Sequence, residues 1–76
     1  MNKQRRARIA KVQAAIEVLL EELEEIRDEE QEAYDNFPES LQESERGEAM
    51  IAAIDNLDYA MESIGEVVDY LENAAD

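Results

Sequence analysis

Pairs of acidic residues three positions apart are the most frequent chemistry-bearing pattern in this 76-residue chain. On a helix this spacing puts both carboxylates on one face, where they can hold a magnesium ion. A chain that folds back near residue 40 places the last pair far from the first two, and off its apolar seam. We therefore interpret the pairs as a solvated polar face and expect no metal site. The pairs are Glu21 and Glu24, Glu22 and Glu25, Glu29 and Glu32, and Glu66 and Asp69.

The residue types that are missing restrict the chemistry further. The chain has no cysteine and no histidine. These absences exclude a disulfide framework, a cysteine-based zinc site and the commonest general base. A di-iron site of the Glu-x-x-His kind is excluded as well. The sequence predicts a protein that is not an enzyme and carries no cofactor.

Basic residues are concentrated at the start of the chain. Residues 1–11 carry five basic residues and no acidic one, and Arg5, Arg6 and Arg8 crowd a predicted helix start, where the helix dipole disfavours cations. Two interpretations remain open. The arginines either meet the acidic end of a second, antiparallel helix (Asp69, Glu72, Asp76), or they form an anion site with free helix N–H groups. For the anion site, several copies in an oligomer would line one pocket; the candidate ligand-binding residues are Arg5, Arg6, Arg8, Arg46, Tyr59 and Tyr70.

The rest of the chain is strongly acidic. The formal net charge is −14, and outside residues 1–11 only Arg27 and Arg46 offset 21 acids. Such a body repels nucleic acid and anionic membranes and favours basic partners, so no direct nucleic-acid binding is expected. Closely spaced carboxylates along a helix can instead imitate a row of phosphates and block a basic surface. The candidate partner-binding residues are Glu21, Glu22, Glu24, Glu25, Asp28 and Glu29.

Two long helices must position these groups. In the first, the seam Ile9, Val12, Ile16, Leu19, Leu23, Ile26, Glu30, Ala33 advances by alternating steps of three and four residues. The second has the same alternation in Gly47, Met50, Ile54, Leu57, Met61, Ile64, Val68, Leu71, Ala75. The sequence predicts one all-α domain over 1–76, with helices at about 3–34 and 45–74 and a connector at 35–44.

The connector interrupts an otherwise continuous helical pattern. Pro38 ends the first helix and is predicted at the first position of a short helical turn. Ser40 with Glu43 has capping-box spacing, and Ser44 is a second candidate cap for the helix that follows. We interpret the segment mainly as a connector; the alternative is a recognition loop in which Arg46 and Gly47 act beside Tyr34 and Phe37. Glu30 lies on the seam near this end of the chain. We expect the helices to splay there; the alternative is an ion pair between Glu30 and Arg46.

Each helix has apolar residues beside its seam, which makes the stripe too wide for two helices to bury. We therefore expect an antiparallel hairpin that forms a homodimeric four-helix bundle or a larger oligomer. No apolar run is long enough for a membrane span, and a cytosolic location is expected. The residues predicted in the oligomer core are Ile16, Leu19, Leu23, Ile54, Leu57, Met61, Ile64 and Val68.

The segment Leu41-Gln42-Glu43-Ser44-Glu45-Arg46-Gly47-Glu48, with Ala53-Ile54-Asp55-Asn56-Leu57 after it, resembles a family of short acidic helical proteins from phages and prophages of Gram-positive bacteria. The similarity covers much of residues 16–75. It implies a phage accessory protein, a setting in which small non-enzymatic products counter host defences. No functional residue is transferred from the family.

Three hypotheses of function follow. The first, which the sequence favours, is stoichiometric sequestration of a host immune component: an oligomer binds a small anionic nucleotide signal in a pocket, which accounts for the arginines at the helix start. The second is an acidic inhibitor of a basic host protein, which accounts for the overall charge. The third is a structural adaptor whose helices only dimerise or assemble.

Overall fold

The computed structural model describes all residues, 1–76, as a two-helix hairpin. Helix α1 spans Lys3–Asp35, a single turn α2 spans Glu39–Gln42, and helix α3 spans Glu45–Ala75. Helices α1 and α3 pack antiparallel, and the molecule measures 58 × 15 × 12 Å. The prediction of an all-α antiparallel hairpin with a short connector is confirmed.

Side-chain caps explain where the long helices begin. The Asn2 side chain accepts a hydrogen bond of 2.8 Å from the Arg5 N–H, and Ser44 Oγ accepts one of 3.3 Å from the Gly47 N–H. Each bond satisfies an amide that the first helical turn leaves without a partner. Ser44 is thus the cap of α3, whereas Ser40 lies inside α2 and Pro38 precedes its first residue. The predictions for Ser40 and Pro38 were wrong because α2 begins one residue after Pro38.

On α3 the predicted seam is the face that packs against α1. All nine predicted positions are buried or half-buried, from Gly47 through Ile54 to Ala75. Seven of the eight residues predicted for an oligomer core therefore already lie at the contact between α1 and α3 of one chain. The eighth is Leu19, which is 57% exposed.

On α1 the seam is rotated from the predicted one. Apart from Gln31, the half-buried positions alternate by four and three residues; they are Ile9, Gln13, Ile16, Leu20, Leu23, Arg27, Glu30 and Tyr34. Four predicted positions, Val12, Leu19, Ile26 and Ala33, are instead exposed. The apolar stripe of α1 is wider than the contact with α3, so the side of the stripe that includes Leu20 packs inward and the opposite side stays at the surface.

The hairpin has a thin core. Ile54 is the one buried apolar side chain, at 4% exposure, and apart from the buried Gly47 the other seam residues are half-buried. Neither long helix contains a stretch apolar enough to cross a lipid bilayer. A pair of helices buries too little apolar surface to make a large core, which is the usual limit for domains of this size.

Candidate functional site

A pocket lies at the end of the hairpin where α1 begins and α3 ends. Its volume is about 290 Å³, and Arg5 and Arg8 stand on its wall beside the apolar side chains of Ile9, Val12 and Leu71. Met1 completes the lining. The pocket therefore combines an apolar surface with two guanidinium groups, a composition that suits a small organic anion.

No ion pair joins the basic segment to α3. The ion pairs of the chain all involve Arg27, so the predicted contacts of Arg5, Arg6 and Arg8 with Asp69, Glu72 or Asp76 do not form. That prediction was wrong. Acids and bases share one end of the hairpin, but shared position along the axis does not bring side chains on different helix faces together.

The remaining candidate ligand residues are spread over the molecule. Arg6 does not line the pocket. Arg46 lies at the opposite end, with its guanidinium carbon 5.6 Å from the centre of the Phe37 ring. Tyr59 and Tyr70 are 66% and 73% exposed on α3, and neither lines the pocket. A single hairpin therefore brings Arg5 and Arg8 together and leaves the other four apart.

The connector residues have structural roles. The Gln42 side-chain amide donates to the carbonyls of Tyr34 and Phe37, both at 3.2 Å, and so satisfies oxygens at the end of α1. Gly47 is buried, and a Cβ built on it would lie 2.0 Å from the Gln42 carbonyl oxygen. Gln42, Ser44, Arg46 and Gly47 thus hold the chain reversal together. Sequence reasoning missed Gln42, because no local spacing rule links it to carbonyls eight and five residues earlier.

One ion pair crosses between the long helices. Arg27 Nε donates to Asp58 Oδ1 at 2.8 Å, and Arg27 also lies 3.6 Å from Asp28 on its own helix. The hydrogen bond to Asp58 raises the pKa of Arg27, and the charges of both carboxylates add to this effect. Sequence reasoning assigned the seam position to Ile26 and so missed Arg27. The available signal was Leu20, an apolar residue seven positions earlier, which predicts the same helix face for Arg27.

The acidic row on α1 consists of six exposed residues: Glu21, Glu22, Glu24, Glu25, Asp28 and Glu29. Eight acids fall within residues 21–32, and the six predicted for partner binding are all exposed. Only Asp28 among those six has a cation within ion-pair distance. At 1.5 Å of rise per residue, the segment carries about one acid per 2.3 Å of helix axis.

Glu30 stands apart from this row. It is half-buried on the seam and forms no ion pair, so the suggested pair with Arg46 is absent. Arg46 instead packs over Phe37. Glu30 is therefore a carboxylate at the edge of the helix contact that has no cationic partner within the hairpin.

No three carboxylates converge on a point that could hold a metal ion. No protein-family model, curated protein or solved structure matches this chain.

Proposed function

We propose that this chain is a non-enzymatic, phage-type accessory protein that acts by stoichiometric binding. Its acidic row on α1 occupies a basic surface of a host-defence protein that otherwise contacts nucleic acid. The observation that carries the proposal is the exposure of six carboxylates on adjacent turns of one helix, five of them with no cation nearby. The phage setting rests on the resemblance of residues 41–48 and 53–57.

The linear charge density of the row supports imitation of nucleic acid. Duplex DNA carries one negative charge per about 1.7 Å of its axis. The acidic segment of α1 has about one acid per 2.3 Å, or about one net charge per 2.6 Å when Arg27 is included. A basic groove that recognises a phosphate row therefore meets about two-thirds of the charge density of duplex DNA along this helix.

Rigidity and net charge support the same function. The row lies within an uninterrupted helix from Lys3 to Asp35, so the backbone that carries its carboxylates is already ordered before a partner arrives. A net charge of −14 also accelerates encounters with basic proteins and repels nucleic acid itself. Both properties favour an inhibitor that competes with DNA or RNA for one surface.

Displacement of labelled duplex DNA from purified basic host-defence nucleases tests this proposal. The wild-type chain should release the DNA, and its effect should weaken as salt rises. Changing Glu21, Glu22, Glu24 and Glu25 to glutamine should weaken displacement at least tenfold. A matched variant has the same loss of four charges on α3, at Glu62, Glu66, Asp69 and Glu72, and should retain most of the activity. Equal effects of the two variants, or no displacement by the wild type, would contradict a specific acidic row.

Sequestration of a small anionic nucleotide is the second candidate, and the pocket at Arg5 and Arg8 favours it. Titration calorimetry with a panel of mononucleotides and cyclic dinucleotides measures it directly. Replacing Arg5 and Arg8 by alanine should abolish the heat of binding. Replacing Lys3 and Arg6, which lie outside the pocket and remove equal charge, should preserve it. Absence of binding by the wild-type chain would contradict this candidate and leave the acidic row unaffected.

A further inference from the structure

An apolar strip lies beside the helix contact on each long helix. On α1, Val12, Leu19 and Ile26 each come one residue before a seam position, and they are 52%, 57% and 45% exposed. On α3, Ala53, Ala60, Val67 and Ala74 each come one residue before a seam position and repeat every seven residues, and only Ala53 of these is half-buried. Moving back by one residue turns the side-chain direction by about 100° around the helix axis. Because α1 and α3 are antiparallel, this turn brings both sets of residues to the same side of the hairpin. We call these seven residues the apolar face.

The exposed area of the chain leaves room for a partner. A compact monomer of this mass has a surface of about 4,700 Å². This chain exposes 5914 Å². The excess is about 1,200 Å², more than the roughly 800 Å² that each partner contributes to a standard protein interface.

We propose that a second copy of this chain covers the apolar face in an antiparallel arrangement, so that the connectors of the two copies lie at opposite ends of the dimer. A two-fold axis at Leu19 then places Leu19 against the partner's Leu19 and Val12 against the partner's Ile26. The contact between Arg27 and Asp58 fixes the alignment of the two helices along the hairpin axis. In this alignment Leu19 lies within about one helical turn of the middle of the α3 strip. The same axis therefore pairs the α3 strips, with Ala60 against the partner's Val67 and Ala53 against the partner's Ala74.

Charge complementarity selects this arrangement. Residues 1–11 carry five bases and no acid, and residues 28–35 carry five acids and no base. Antiparallel pairing of the two α1 helices puts these segments side by side. Arg8 lies one turn before Val12 and Glu30 one turn after Ile26, so both border the apolar face, and the axis places Arg8 beside the partner's Glu30. Neither residue has an ion-pair partner in the single hairpin.

The arrangement also accounts for the end pocket. The pocket shares Val12 with the apolar face, so the partner's segment from Ile26 to Glu30 lies over it. The opposite arrangement, with both connectors at one end, would bring two copies of Arg5 and Arg8 together without a counter-charge. Most of the acidic row projects away from the apolar face, and the dimer therefore leaves it free for a further partner.

Charge-reversal variants of Arg8 and Glu30, measured separately and mixed, test the proposed contact between Arg8 and the partner's Glu30. Arg8→Glu or Glu30→Arg alone should weaken the dimer roughly tenfold, because each creates two like-charge contacts per dimer. Mixing the two variants should restore a heterodimer of wild-type affinity, since both contacts then join opposite charges. Neither side chain forms an ion pair within the hairpin, so neither change should unfold it. Sedimentation equilibrium of the full chain measures the dissociation constants.

Matched controls carry the same charge changes off the apolar face. Arg6→Glu and Glu32→Arg lie two residues from the tested positions and should leave the dimer intact. A monomeric wild-type chain would overturn the proposal, as would a dimer in which the Arg8 and Glu30 variants behave like these controls. A dimer with a bound nucleotide in the pocket would also overturn it, because the partner's Ile26–Glu30 segment and a ligand exclude one another there.

A cysteine cross-link provides a second, independent measurement. The natural chain contains no cysteine, so Leu19→Cys introduces a single thiol at the proposed axis. Oxidation should give a disulfide-linked dimer, because two thiols on the axis approach within bonding distance. Val18→Cys, on the adjacent exposed position, should cross-link far more slowly. Equal rates for the two variants would contradict the proposed axis.

Discussion

Arg27 and Asp58 form the single ion pair that links the two long helices, with 2.8 Å between Arg27 Nε and Asp58 Oδ1. Arg27 occupies a seam position that a purely apolar pattern assigns to its neighbour, Ile26. Its side chain is 27% exposed and that of Asp58 45%, so the pair sits at the edge of the helix contact. It therefore helps to set which side of α1 faces α3 and how the two helices are aligned.

Removing one partner at a time should separate the contribution of the ion pair from that of side-chain packing on the seam. Asp58→Ala leaves the Arg27 charge without its partner on the seam, and should lower the thermal midpoint by a few degrees. Arg27→Leu extends the apolar seam and leaves an Asp58 that water can solvate, so the midpoint should be unchanged or higher. Circular dichroism at one fixed protein concentration measures both. Equal destabilisation by the two variants would mean that the pair matters more than seam packing.

The two glycines should respond oppositely to alanine. A Cβ at Gly47 would lie 2.0 Å from the Gln42 carbonyl oxygen, so Gly47→Ala must displace the connector and should destabilise the chain by about 1–3 kcal/mol. Nothing lies within 4 Å of a Cβ at Gly65, so Gly65→Ala should stabilise it by about 1 kcal/mol. Urea denaturation gives both values. A stable Gly47→Ala variant would show that the connector has room to move.

Loss of the Gln42 side chain should loosen the end of α1. Gln42→Ala removes the donors to the Tyr34 and Phe37 carbonyls and should cost about 1–2 kcal/mol. Gln42→Glu should cost more, since a carboxylate would face the same carbonyl oxygens. Hydrogen exchange should accelerate at residues 32–37 and remain slow near Leu20. Uniformly faster exchange along the whole chain would instead indicate a global effect.

Leu19 and Val18 offer a matched comparison on adjacent positions. Both are highly exposed in the hairpin, at 57% and 63%. Leu19→Asp should dissociate the proposed dimer and lower the thermal midpoint by at least 5 °C, because coverage of the apolar face is lost. Val18→Asp, one residue away and off that face, should change neither property appreciably. Light scattering combined with thermal unfolding measures both, and identical behaviour of the two variants would argue against coverage of Leu19.

The sequence by itself determined the two helices, the break between them, the Ser44 cap and the inward face of α3. These features depend on local signals: a proline, a capping serine and an apolar period of three and four residues. On α3 the flanking positions are mostly alanines or charged residues, so a single stripe was the only apolar choice available for the contact with α1.

Only the tertiary structure decided which side of α1 faces inward and what holds the chain reversal. The apolar stripe of α1 includes both Leu19 and Leu20, and its period is equally consistent with either side. Packing against α3 and the reach of Arg27 to Asp58 select the side with Leu20. Gln42 is a similar case, because its carbonyl partners come within reach only when the chain has turned back on itself.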